Sequence, residues 1–388
     1  MHRVLLSGAF LVVFLFSGCV ERYTPDEDNL ETGLLVINAH LTDEAAFQEI
    51  EVSRSVALLF SKADPVSGCL VEVQREDGAS LDLPEQRTGR YGTRFPDEFL
   101  VTGSAYRIRV TTPDGREYES DFDRLHPAPD IDSIYYEVEP ATHRPGYDTL
   151  GGIRFFIDFT YEDDAYEFIR WELTETYEFH NPDMEGYILD VDRRMKPLTD
   201  TNNFRVCYIT NRLTDIHSMS MRTLNFGTYI KKPFSFVPYV QMDQKLLHQY
   251  SLLVRQYAIS EAAYHYWNEL RKTSQEQGFL FDRQPALLAS NICNVNDPGE
   301  RVLGFFSMSG KKEIRGFARD IEGIDVSFYA WYCFPVSRGP SGPVSRADLP
   351  KYYARAWRDG QSSFAEVNKH CVDCRAYDNS THIKPEYW

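Results

Sequence analysis

The chain has 388 residues, and its 58 acidic and 41 basic side chains give a formal charge of −17. This charge excludes nucleic acid as a partner, because it repels phosphates and no basic stripe opposes it. The 24 Tyr, 25 Phe and 5 Trp provide aromatic surface for burial that a disordered chain lacks, and the length predicts about two domains.

The chain begins with a short apolar segment. Residues Val4–Phe16 are too few to span a bilayer, which takes about 20 residues, so we predict that residues 1–18 are a signal peptide. Ser17 and Gly18 before Cys19 resemble a bacterial lipobox, whose cysteine becomes the lipidated N-terminus, with palmitate as an acyl group. The alternative is an ordinary secretory signal with an incidental cysteine.

An acidic stretch follows this cysteine. Residues 19–32 include Asp26, Glu27 and Asp28 and have no hydrophobic periodicity, so we predict a flexible tether. Acidic residues in this place resemble the export signal that sends lipoproteins of Bacteroidota to the cell face of the outer membrane. The alternative is a solvated linker that carries no address.

Residues 33–127 show short segments in which apolar and polar side chains alternate. Leu35, Ile37 and Ala39 follow this period of two, which is typical of half-buried strands. The clearest hairpin runs from Tyr106 to Phe122 around Pro113-Asp114-Gly115, because proline fixes φ and glycine allows a positive φ in a turn. These patterns predict an immunoglobulin-like β-sandwich.

Residues 128–388 continue as strands, with one strong helical pattern at about 260–277. Gly152–Tyr161 and Tyr166–Leu173 are typical strand segments, and Ser260 is a suitable N-cap for the helix. The apolar face of this helix comprises Ala263, Tyr266, Trp267 and Leu270. We therefore predict a mainly β protein, with an N-terminal sandwich followed by a larger β-rich domain that contains one prominent α-helix.

Six of the seven cysteines remain once Cys19 is lipidated. An even number in an exported chain favours disulfides, and the candidates are Cys69, Cys207, Cys293, Cys333, Cys371 and Cys374. We predict that the bridges hold the C-terminal segment, as far as Trp388, on the second domain. A bridge from Cys69 to Cys207 between the domains stays open.

Two patterns have some features of metal sites. Cys371 and Cys374 form half of a zinc site that His370 or His382 would complete, although an exported protein favours disulfides at these thiols. A second pattern has the spacing of a calcium loop but lacks its flanking helices, and consists of Asn181, Asp183, Glu185 and Asp192. We predict neither a bound metal nor a cofactor.

Motifs from five parts of the chain resemble one known family. These are the lipobox, Ala289–Asn296, Val302–Phe306, Cys371–Cys374 and the ending Lys384–Trp388. Together with the Tyr-Trp helix, they are similar to the Bacteroidota lipoprotein family called domain of unknown function 4249. The resemblance implies a lipoprotein encoded beside a TonB-dependent outer-membrane receptor, and it implies no catalytic residues.

The sequence favours a binding function. No zinc-protease helix, nucleophile elbow or dinucleotide fingerprint occurs, so we predict that the protein is not an enzyme. The expected function is that of an outer-membrane lipoprotein, facing the cell surface, that assists a TonB-dependent receptor in taking up a nutrient or metal complex. Aromatic contacts are expected at Trp331, Tyr332 and Trp357. The alternatives are an adhesive lipoprotein that binds envelope or host glycans, and a hydrolase with scattered carboxylates.

Overall fold

The computed structural model describes residues 33–56, 64–144, 147–149, 151–162, 166–181, 186–198, 205–239, 245–275, 290–322, 333, 337–338, 349–358 and 361–388. The predicted signal peptide, Cys19 and the acidic tether lie outside the described residues. Within these ranges, no helix is both long enough and apolar enough to cross a membrane.

The chain is mainly β, which confirms the predicted fold class. Its described strands are β1 Leu35–Thr42, β2 Phe47–Arg54, β3 Asp64–Pro65, β4 Leu70–Arg75, β5 Ser80–Asp82, β6 Glu85–Arg87, β7 Arg90–Arg94, β8 Ala105–Thr111, β9 Glu117–Ser120, β10 Asp123–Arg124, β11 Ser133–Glu139, β12 Thr142–Arg144, β13 Tyr147–Thr149, β14 Gly152–Tyr161, β15 Phe168–His180, β16 Gly186–Leu189, β17 Met195–Pro197, β18 Val206–Arg212, β19 His217–Ser220, β20 Thr228–Pro238, β21 Gln249–Ile259, β22 Ile292–Asn294, β23 Val302–Arg319, β24 Ser337–Arg338, β25 Lys351–Arg358, β26 Gln361–Val367 and β27 Ser380–Thr381. The described residues contain one α-helix, α1, at Glu261–Gln275.

The first sandwich has two facing sheets. One contains β1, β2, β7 and β6, and the other has the order β22-β9-β8-β4-β5. Alternate residues of β1 are buried, as the period of two predicts, and they pack against Val73 and Ile108 of the opposite sheet. The predicted hairpin is present as β8 and β9, with Gly115 at a φ of 82°. This core also contains Ile292 and Phe306, so it extends beyond the predicted range 33–127.

Strand β23 belongs to both sandwiches. Its first half pairs in parallel with β1, and its second half pairs antiparallel with β21. Gly304 is required at the parallel contact, because its φ is 91° and a Cβ there would collide with the carbonyl of Ile37. The two sandwiches therefore share one continuous strand of 18 residues.

The second sandwich encloses an aromatic core. A three-stranded sheet, β11-β14-β20, faces a sheet in which β27, β18, β15, β21 and β23 are neighbours. Phe155, Phe159, Trp171 and Tyr250 lie in the interior with exposures of 1% or less. Because these rings come from both sheets, aromatic packing holds the two layers together.

Helix α1 follows the predicted pattern closely. The Ser260 hydroxyl accepts a hydrogen bond from the amide of Ala263 at 3.2 Å, as an N-cap does. Tyr266 stacks on Phe305 of the first half of β23 at 4.6 Å, and Ala263 is fully buried. The aromatic face of the helix therefore packs in the interior, while the predicted end of the helix at residue 277 lies outside the described residues.

Two disulfides fix the C-terminal segment. Cys207 of β18 is bonded to Cys374, and Cys333 is bonded to Cys371, with Cα separations of 5.8 and 5.5 Å. The first bridge fastens the segment to the second sandwich, as expected. The alternative of a Cys69–Cys207 bridge is wrong, because Cys207 is bonded to Cys374. Cys69 and Cys293 are free thiols.

Candidate functional site

A pocket of about 350 Å³ opens between β19, β20 and the C-terminal half of α1. Its lining is polar and includes one carboxylate, two cationic side chains and one imidazole. The lining residues are Asp215, Ile216, His217, Ser218, Lys232, Ser235 and Arg271. A volume of this size falls at the lower end of the range of pockets that bind small molecules.

Lys232 reaches this pocket because of the alternation along β20. Side chains two residues apart point to the same face of a strand, so Lys232 shares its face with Ile230 and Phe234, both of which are buried. Its ammonium lies 5.1 Å from the centre of the Trp171 ring. The preceding residue, Lys231, points to the opposite face and pairs with Glu137 at 2.6 Å.

The charge of Lys232 is poorly compensated. Among the residues that the structure describes, the Lys232 ammonium contacts the ring of Trp171, and no carboxylate forms an ion pair with it. Burial lowers the pKa of Lys232, and the positive charge of Arg271 lowers it further. An anion bound in the pocket would stabilise the charged form of Lys232 and so oppose both the burial and the repulsion from Arg271.

His217 places a buried nitrogen beside this cation. Its Nε2 has no hydrogen-bond partner within the described ranges, and its ring packs edge-on against Phe234 at 5.3 Å. Burial, with a further contribution from Lys232, lowers the pKa of His217 to about 4, so the imidazole is neutral near pH 7. A neutral imidazole can donate a hydrogen bond to a ligand oxygen or accept one from a ligand hydroxyl.

The pocket is therefore suited to a small anionic ligand. Lys232 offers charge and His217 offers a hydrogen bond, whereas the hydroxyl protons of Ser218 and Ser235 are already donated to Asn268 and Asp215 at 3.0 and 2.6 Å. Carboxylate and phosphate groups accept such charge-assisted hydrogen bonds.

We expect the variant Lys232→Met to be more stable than the parent by about 1 kcal/mol near neutral pH, because it removes a desolvated and unpaired charge. The ammonium of Lys232 keeps its proton up to about pH 10.5 in the unfolded chain and loses it at a lower pH in the folded chain. The stability difference between Lys232→Met and the parent should therefore narrow as the pH rises towards 10.5. Urea titrations at several pH values measure the free energy of unfolding.

Lys231→Met is the matched control. It removes an exposed ion pair on the other face of the same strand and should leave the free energy of unfolding nearly unchanged. Citrate, used as a tricarboxylate probe, should stabilise the parent and Lys231→Met but not Lys232→Met. Equal stabilisation of both variants by citrate would contradict an anion site at Lys232.

A second cavity, of about 310 Å³, lies between the two sandwiches. Arg170 is its central residue: the guanidinium bonds to Glu172 at 2.8 Å and lies over the rings of Tyr257 and Trp267 at 4.7 and 4.1 Å. The Nε of Arg170 is buried and has no hydrogen-bond partner in the described part of the chain. Glu172 also accepts a bond from Arg212 at 2.6 Å. The charges of Arg170, Glu172 and Arg212 are therefore mostly paired with one another. The contact of Arg170 with Trp267 links the second sandwich to α1.

The first sandwich contributes His40 to the same cavity. Its Nδ1 lies 2.9 Å from the Ser307 hydroxyl, and its ring lies 5.0 Å from that of Trp267. Burial and the neighbouring Arg170 lower the pKa of His40 to about 3. The imidazole is therefore neutral near pH 7 and adds no positive charge beside Arg170.

The residues predicted for binding do not form a described site. Trp331 and Tyr332 lie outside the described residues, and Trp357 pairs with Ser362 between β25 and β26.

The described residues of the two metal-like sequence patterns make other contacts. Cys371 and Cys374 are in disulfides, so the zinc alternative is wrong. With its amide oriented by the hydrogen-bond network, Asn181 bonds to the backbone of His370, Asp373 and Cys374. The carboxylate of Asp192 pairs with Lys196 at 2.9 Å. Asp183 and Glu185, the other residues of the calcium pattern, lie outside the described residues.

Comparisons with known proteins give one family match. The family model described as Domain of unknown function (DUF4249) matches residues 20–315. No curated protein sequence matches the chain. A trypsin-activated alpha-2-macroglobulin from Escherichia coli aligns with a TM-score of 0.19 and 14% identity, over 60% of this chain and 15% of its own length. The BSP domain of a biofilm-associated protein aligns with a TM-score of 0.13 and 6% identity, over 77% of this chain and 61% of its own.

Proposed function

Because this chain belongs to the family described as domain of unknown function (DUF4249), we propose that it is an outer-membrane lipoprotein that captures a small anionic ligand for a TonB-dependent receptor. The lipobox-like sequence at Cys19 supports a lipid anchor, and the acidic stretch after it supports a position on the cell surface. In this proposal the protein binds and delivers, and performs no chemistry.

The observation that supports an anionic ligand is the half-buried Lys232 in its polar pocket. A half-buried ammonium without a carboxylate partner among the described residues raises the free energy of the empty protein, and an anion lowers it. The pocket also opens on α1, and helix side chains such as Arg271 line one wall. Carboxylate-bearing nutrients and carboxylate metal complexes have the required charge.

The test is co-isolation of a barrel with the full chain. An affinity tag inserted in the exposed turn at Gly115 leaves both the lipid anchor and the docked C-terminus intact. Membranes solubilised in mild detergent should yield the lipoprotein together with one TonB-dependent receptor. Recovery of no barrel, under conditions that keep the anchor, would defeat the transport proposal.

Cys19→Ala is the control for the anchor, because it cannot accept a lipid. We expect this variant to be lost from the outer membrane and to recover much less receptor. If Cys19→Ala stays in the outer membrane and brings down the same barrel, the lipid anchor has no part in the assembly and that element of the proposal is wrong.

A further inference from the structure

Three side chains with metal-binding atoms meet at one end of the second sandwich. Glu178 and His180 are two residues apart near the end of β15, so they point to the same face of the strand. His248 immediately precedes β21, the antiparallel neighbour of β15. One ligand atom from each of the three residues lies within 4.8 Å of the others.

We propose that Glu178, His180 and His248 bind a divalent transition-metal ion, with zinc as the best fit. Two imidazoles and one carboxylate form a ligand set that zinc prefers, and such sites keep a further position for water or for another ligand. Tetrahedral bonds of about 2.0 to 2.2 Å place the ligand atoms roughly 3.3 to 3.6 Å apart, so the three ligand atoms are already close enough, and the two imidazole rings must rotate so that one nitrogen of each faces the ion.

The site is accessible from solvent. The side chains of Glu178 and His180 have exposures of 22% and 36%, so an ion can enter without opening the core. The rings of His180 and His248 are stacked face to face, with centroids 3.6 Å apart. A cation between their nitrogens would replace a ring contact with two coordinate bonds.

A second observation is the hydrogen bond that orients the carboxylate. The Trp388 indole nitrogen donates to Oε2 of Glu178 at 3.0 Å, and Oε1 lies 2.6 Å from Nε2 of His180. The Trp388 bond thus fixes one carboxylate oxygen from outside, as outer-shell hydrogen bonds orient ligating carboxylates, and the other oxygen faces the imidazole with which it would share the ion. Trp388 is itself held by ring contacts with Tyr208 and Phe317 at 5.4 and 6.1 Å.

These contacts give the C-terminal residue a role that is independent of the proposed transport function. Trp388 is a positioning residue, because it touches a metal ligand and would not touch the metal. The Cys207–Cys374 bridge holds the segment that carries Trp388 on the same sandwich. The competing description is a metal-free cluster, in which His180 simply donates a hydrogen bond to Glu178.

Zinc chloride alone, titrated by calorimetry into the full chain in detergent, tests the site. The protein should carry a tag without histidine and should first be stripped with a chelator. We expect one zinc ion per chain, and we expect His248→Ala to weaken binding at least 100-fold. Cobalt, as a spectroscopic substitute, should give visible bands typical of tetrahedral coordination in the parent but not in His248→Ala.

His265→Ala is the matched control, since His265 is an exposed histidine on α1 with a side-chain exposure of 68%. It should bind zinc as the parent does. Glu178→Gln keeps an acceptor for Trp388 but lacks the charge, and Trp388→Phe keeps an aromatic ring but lacks the indole donor, so each should weaken binding about 10- to 100-fold. Circular dichroism confirms folding, and absence of stoichiometric zinc in the folded parent, or equal affinity in His248→Ala and His265→Ala, overturns the proposal.

Discussion

Replacing Cys207 and Cys374 together by serine should lower the free energy of unfolding by about 5 kcal/mol under oxidising conditions. The bridge joins residues 167 positions apart, and restricting so long a loop removes much of the entropy of the unfolded chain. Both cysteines are fully buried, beside Phe179 and Ile209. Urea titration followed by tryptophan fluorescence measures the change.

The second bridge provides a ranking within the same protein. Cys333 and Cys371 are only 38 positions apart, so their double serine variant should lose about 4 kcal/mol, less than the first. Cys293→Ser, which changes an exposed free thiol, should leave stability unchanged. A larger loss from the shorter loop would show that local packing, and not loop closure, determines the contribution of these bridges.

Arg170→Met should lower the free energy of unfolding by about 3 kcal/mol, because removal of one partner leaves a buried charge with less support. The Arg170 side chain is 8% exposed and its partner Glu172 is 18% exposed. Burial opposes ionisation of Glu172, but Arg170 and Arg212 outweigh it and hold the pKa of Glu172 below its usual value. Urea titration at neutral pH measures the effect.

Arg212→Met separates burial from charge. Arg212 bonds to the same oxygen of Glu172 but is 68% exposed, so its loss should cost less than about 1 kcal/mol. Similar losses from the two variants would contradict the idea that burial makes Arg170 important. The Met side chain suits this comparison, since it can still fill the space between the rings of Tyr257 and Trp267.

Local patterns were sufficient for much of the fold. The period of two along β1, the Pro-Asp-Gly turn and the Ser260 cap each depend on residues close in sequence, and all three are present. The pairing of β1 with β23 is different. It joins Leu35 to Val302, and no local signal specifies which strand will cover the edge of β1. The sequence left the pairing of the cysteines open for the same reason, since the pairing depends on where distant segments meet.

The candidate sites were only partly accessible from the sequence. Lys232 occupies an inward position between Ile230 and Phe234, and a charged residue in such a place is a readable signal of a functional or strained site. His217 reaches the pocket only because β19 pairs with β15. The proposed metal site has two of its three ligands in Glu178-Phe179-His180, while His248 immediately precedes β21, which only the sheet order places beside them.

The strand shared by the two sandwiches has a consequence for how the chain matures. During synthesis, residues 33–127 emerge long before Val302, so β1 keeps an unpaired edge while almost the whole second sandwich is made. The first sandwich is therefore synthesised first but is completed late, when β23 pairs with β1. A chain released before Ser309 would present an exposed strand edge to its neighbours, which makes unfinished copies targets for chaperones and proteases.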